Sequence, residues 1–128
     1  MIIGAHILLY SDHPELDRAF FRDVLEFPFV DVGHGWLIFG LPGAEMAVHP
    51  ADGEAGQVLD GHRLQPSVLY LMCEDLPGLM QTLKSKGVEC TDVEQERWGL
   101  RTTIRLPSGG ELGLYQPKHA TALGLKAR

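Results

Sequence analysis

The chain has 128 residues, 11 Lys and Arg against 17 Asp and Glu, a formal net charge of −6 and a 45% hydrophobic fraction. That length suits one globular domain and excludes a large multidomain enzyme, and apolar residues spread along the whole chain exclude intrinsic disorder. The acidic balance, with no cluster of Lys and Arg, argues against a nucleic-acid surface, and no apolar run approaches the 18 or so residues that span a bilayer.

A chain of this size is expected to bury roughly two-thirds of its unfolded surface without disulfide or zinc staples. Met1-Ile2-Ile3-Gly4-Ala5 lacks the charged start and long apolar run of a signal peptide, so a cytoplasmic protein is expected. Cys73 and Cys90 have no CxxC partner and read as buried free thiols. Fifteen Gly and eight Pro predict many short elements joined by tight turns.

The first predicted strand is the apolar run Ala5–Tyr10, which stops at Ser11-Asp12-His13-Pro14. Asp12 and Glu15 have the spacing of a capping box, and Pro14 falls in the first turn, where its missing N–H costs nothing. Leu16, Phe20 and Val24, with Phe21 and Leu25 beside them, then give an amphipathic helix that Pro28 ends. Three short strands follow at Phe29–Val32, Trp36–Leu41 and Glu45–His49.

After a link rich in Gly, Asp and Pro, the same order returns. Val68–Cys73 is a strand running into Asp75, an N-cap, with Pro77 in the first turn. Leu76, Leu79, Met80 and Leu83 make the apolar stripe of a second helix, and Gly87 is its left-handed stop. Strands are predicted at Val88–Thr91, Leu100–Leu106 and Glu111–Tyr115, the last two joined by Pro107-Ser108-Gly109-Gly110. The runs around Glu45 and Glu111 match, so these carboxylates hold equivalent places in the two halves. A repeat this small cannot bury its own sheet face, so the halves must close on each other around a concave inner face.

His6-Ile7-Leu8-Leu9-Tyr10, the helix Arg18-Ala19-Phe20-Phe21-Arg22-Asp23-Val24-Leu25-Glu26-Phe27, the junction Cys73-Glu74-Asp75-Leu76 and the closing hairpin Leu106-Pro107-Ser108-Gly109-Gly110 to Leu114-Tyr115-Gln116-Pro117 resemble the vicinal oxygen chelate superfamily of glyoxalases, bleomycin-resistance proteins and extradiol dioxygenases. The resemblance spans residues 4 to 117. It implies an α+β fold of tandem βαβββ modules forming an incomplete curved barrel with the helices outside. Module one then covers about 4–50, a linker 51–65, module two 66–117 and a tail 118–128. It also implies a homodimer and, in the enzymes, a divalent metal held by one His or Glu from the first and last strand of each module.

Carried over by position, those ligands are His6, Val68 or Ser67, Ala47 and Gly113, so only the first is a metal donor. A catalytic metal needs about three protein ligands. The expected function is therefore small-molecule binding in the cavity without the standard metal and without a cofactor. The alternative is a lyase, isomerase or dioxygenase whose metal is displaced to His6 with Glu45, His49 or Glu111, or acid–base chemistry at a carboxylate such as Glu111.

Strand alternation places Tyr10, Tyr70, Met72 and Tyr115 on the face of His6 or its counterparts. The expected ligand-binding residues are Tyr10, Trp36, Glu45, His49, Tyr70, Arg101, Glu111 and Tyr115. The aromatics would supply stacking surface, the carboxylates recognition of cations, and Arg101 recognition of anions. Trp98, like Trp36, would wall the pocket or seal a dimer interface. His13, His34, His62 and His119 fall in turns or the tail and receive no role, and the tail itself reads as mobile.

Overall fold

The computed structural model describes residues 1–50 and 57–125. Its order is α1 (Pro14–Asp23), β1 (Phe29–Asp31), β2 (Leu37–Phe39), β3 (Gln57–Leu59), β4 (His62–Leu64), β5 (Tyr70–Met72), α2 (Leu76–Ser85), β6 (Glu94–Glu96), β7 (Gly99–Arg105) and β8 (Glu111–Pro117). The class is α+β, with two helices among the described residues and curved sheets that do not close into a full barrel. Among the described residues no helix is long and apolar enough to cross a membrane.

The main sheet has the order β5-β8-β7-β6. β5 runs parallel to β8, with Tyr70 opposite Gly113 and Met72 opposite Tyr115, while β7 and β8 form an antiparallel hairpin with Arg101 opposite Tyr115. The hairpin turns where Gly109 takes a φ of 96°, a left-handed value that Gly adopts without strain.

α2 begins as its sequence dictates. Asp75 accepts from the Gly78 N–H at 3.1 Å, and the Gln116 side chain accepts a second free donor, Leu76 N–H, at 2.9 Å. Its apolar stripe then covers the sheet: Leu76, Leu83, Val88, Ile104, Leu106, Leu112 and Leu114 form the core.

Helix α1 belongs to the N-terminal half of the chain yet packs on this same core through Phe20. Asp17 fixes the contact, because its buried carboxylate accepts from both Ser108 N–H (3.0 Å) and Ser108 Oγ (2.7 Å) in the β7–β8 turn. A buried carboxylate must be hydrogen-bonded, so this pair sets where the helix can dock.

Several elements differ from the sequence expectation. The capping box does not form: the helix starts after His13 with no side-chain cap, and Ser11 Oγ accepts from His13 N–H instead. The helix ends before Pro28, because Glu26 takes a left-handed φ of 58°. Val88–Thr91 contributes a single bridge, Cys90 to Ile104. The link contains the β3–β4 hairpin, and β6 is an additional strand.

The expected strands Ala5–Tyr10 and Glu45–His49 join no ladder, and apart from Glu45 these residues are exposed. Strand hydrogen bonds require a neighbour, and among the described residues no strand pairs with either stretch. The consequence is a large surface. The chain exposes 10263 Å², where a compact monomer of 14.1 kDa exposes about 6,700 Å², so it buries about half of its unfolded surface rather than two-thirds.

Candidate functional site

Along β8, Leu112 and Leu114 point into the core, so Glu111, Gly113 and Tyr115 point to the face away from the helices. On β5, Leu71 packs against the core and Tyr70 takes the same outer face as Gly113. Trp98, just before β7, completes a cluster of three rings. Centroids are 5.9 Å apart for Tyr70 and Trp98, 5.6 Å for Tyr70 and Tyr115 and 5.0 Å for Trp98 and Tyr115. All three pairs meet edge to face, the arrangement favoured by the ring quadrupoles. Tyr115 is buried, whereas Tyr70 and Trp98 remain 38% and 36% exposed.

Polar groups border this cluster on two sides. Tyr115 Oη lies 3.3 Å from Nε2 of His119, whose ring is tilted 35° against the Tyr115 ring. Glu45 Oε2 is 3.6 Å from the same Nε2, and Glu45 Oε1 accepts from Ala122 N–H at 2.8 Å. Burial, and then the Glu45 carboxylate, push the Tyr115 phenol above its usual value. On the other side Arg101 is clamped by Glu94 and Glu96, the latter at 3.0 Å. Hydrogen bonding to Glu96 and the charges of both carboxylates raise its pKa, so its guanidinium is already engaged.

The structure thus gathers Tyr70, Arg101, Tyr115 and Glu45 from the sequence-predicted set, together with Trp98. It places the other five elsewhere. Tyr10 is 64% exposed on the stretch without a ladder, and His6 is on the same stretch. Trp36 lies under Arg18, whose guanidinium carbon is 4.7 Å from the ring centroid. His49 is exposed and contacts the carbonyl of neighbouring Pro50. Glu111 is at the far end of β8, beside a cleft of about 100 Å³ lined by Cys90, Thr91, Thr103 and Arg105.

His119 has no counterpart in the sequence expectation. Residues 118–125 do not form a free tail: Lys118 N–H donates to Trp98 O at 2.8 Å, and His119 and Ala122 are tied to Glu45. Nothing in the tail's spacing signals this, because its partners are remote in sequence.

The residues at the superfamily's metal positions do not fit a metal. His6, Ala47, Ser67 or Val68, and Gly113 offer one donor side chain among them. Gly113 has no room for another, because a Cβ there would fall into the Tyr70 ring, in hard contact with Cδ1 and Cε1 and 3.0 Å from Cγ. Among the described residues no group of three or more His, Cys, Asp or Glu side chains could hold a metal.

Solved structures match this chain over nearly its whole length. TnmS3, an antibiotic binding protein from Streptomyces sp. CB03234, aligns with a TM-score of 0.59 at 20% identity, covering 92% of this chain and 100% of its own. Lactoylglutathione lyase from Agrobacterium tumefaciens aligns at 0.60 and 15%, covering 89% and 92%. A glyoxylase/bleomycin resistance protein/dioxygenase domain from Frankia sp. EAN1pec aligns at 0.51 and 14%, covering 92% and 100%. The fold is that of the vicinal oxygen chelate superfamily. No protein-family model matches the sequence, and no curated protein sequence matches it. Identities this low establish the architecture and leave the chemistry to the site.

Proposed function

We propose that this protein binds a small, ring-bearing molecule on the outer face of β5 and β8, with Tyr70, Trp98 and Tyr115 as the contact surface and without a divalent metal. The observation that carries this reading is the Tyr70 ring lying over Gly113. The position that would present a metal donor carries an aromatic face instead, and such a face attracts flat or cationic groups. TnmS3 is a fold neighbour described as an antibiotic binding protein, which supports binding as the role.

The metal-dependent alternative requires Glu45, His49 or Glu111 to meet at His6. Glu45 is instead turned to His119 and Ala122, and Glu111 is beside a different cleft. Two copies of the chain are proposed to associate. The excess surface includes Ile7, Leu8, Leu9, Tyr10, Met46 and Val48, all exposed on the stretches without a ladder. Exposed apolar residues in such number are what a partner surface would cover. Sedimentation velocity is expected to give twice the 14.1 kDa chain mass.

Thermal melting of EDTA-treated protein with quinoline tests the binding role. A saturable rise in Tm, retained without metal and lost in Trp98→Ala, is expected. No rise, or one that requires added zinc, nickel or manganese, would overturn the proposal.

A further inference from the structure

We infer that Glu45 is the group by which this site recognises positive charge, that residues 119–122 occupy the place of its ligand, and that the ligand is a flat nitrogen base with N–H donors, of the amidinium class. The inference rests on the binding role proposed above and specifies its chemistry.

Glu45 lies on a stretch that has no ladder, and the residues around it are exposed. Its own side chain is nevertheless only 18% exposed. A carboxylate withdrawn from water needs donors, and besides the neighbouring Tyr115 phenol those seen among the described residues come from one short segment: Ala122 N–H at 2.8 Å and, at 3.6 Å, Nε2 of His119. Arg101, the guanidinium that shares the face, is held by Glu94 and Glu96. His119 is the one ion-pair partner of Glu45 among the described residues.

The pose of His119 describes what the site accepts. A flat nitrogen heterocycle rests against the Tyr115 ring, with centroids 6.2 Å apart and one ring nitrogen directed between the phenol oxygen and the carboxylate. Its other nitrogen, Nδ1, is satisfied by Ala120 O at 2.9 Å, within the segment itself. The segment is anchored upstream by Lys118 N–H to Trp98 O, and beyond that its bonds to the N-terminal half run through Glu45. A ligand that brings a ring for Tyr115 and Trp98 and paired N–H donors for Glu45 replaces both contacts at once. An amidinium matches a carboxylate in this bidentate way.

Calorimetric titration of the full-length, EDTA-treated protein with benzamidine, benzamide and benzoate tests the inference, because the three differ in charge and little in shape. Benzamidine is expected to bind about tenfold tighter than benzamide, and benzoate more weakly than either. In Glu45→Gln the preference should vanish, while Glu45→Asp keeps it. His119→Ala and Ala122→Pro each remove a competing contact and should strengthen benzamidine binding a few-fold. Equal binding of benzamidine and benzamide, with quinoline still bound, would overturn the inference and leave the binding role standing. Failure of both quinoline and benzamidine would remove both. Weaker benzamidine binding in His119→Ala would make His119 a wall of the site and contradict the exchange.

Discussion

The two halves of the chain follow one order in sequence but not in structure. In the C-terminal half, β5 to β8 share a ladder and α2 covers it. In the N-terminal half, β1 and β2 form an isolated hairpin, and the helix docks on the other half's sheet. Burial accounts for the difference. Leu76, Leu83, Ile104, Leu112 and Leu114 are nearly inaccessible, whereas Phe29, Val30, Val32 and Trp36 are exposed. A strand persists where its apolar face is covered, and helix α1 turns Phe20 to the other half's core while Phe21 meets Phe39 of the N-terminal hairpin through ring contact.

The largest expected effect follows directly. Leu76→Ala should cost about 2–5 kcal/mol of stability, while Val30→Ala, at an exposed hairpin position, should cost within about 0.5 kcal/mol. Urea denaturation of the two variants measures the gap, and equal losses would abolish the distinction between the halves. Next is the contact that joins them. Asp17→Ala leaves two donors, Ser108 N–H and Oγ–H, without their acceptor and should cost about 1–3 kcal/mol, with Asp17→Asn recovering part of the loss. The same denaturation experiment checks this.

Gly113→Ala should also cost about 1–3 kcal/mol, because the added methyl meets the Tyr70 ring. In a Tyr70→Ala background it should cost little, and a double-mutant cycle reads the coupling. The smallest effect concerns alkaline pH. The Tyr115 phenol is raised in the folded protein, and in the unfolded chain it titrates near about 10. Its contribution is therefore fully present below pH about 10 and lost as pH rises through the folded value. Melting curves should steepen their decline in that range, and less so in Tyr115→Phe.

The elements written in local chemistry were legible in the sequence. Asp75 caps α2 as its position predicts, Gly87 takes a φ of 81° at the stop, and alternation on β8 correctly places Gly113 and Tyr115 on one face. Elements made by remote partners were not. β6 is Glu-Gln-Glu and has no apolar alternation; the carboxylates at its two ends are held by Arg101 across the ladder. The β3–β4 hairpin did leave a signal in Asp60-Gly61, both left-handed, the dipeptide favoured by two-residue hairpin turns. His119 left none, because its role comes from Glu45, far away in sequence.

The central claim is that an aromatic face stands where the superfamily's enzymes hold a metal. Tryptophan emission of the Trp36→Phe protein, in which Trp98 is the sole reporter, tests it most directly when quinoline is titrated with EDTA present. A saturable change that disappears in Tyr70→Ala is the predicted result. Emission that stays unchanged until a divalent metal is supplied would contradict it.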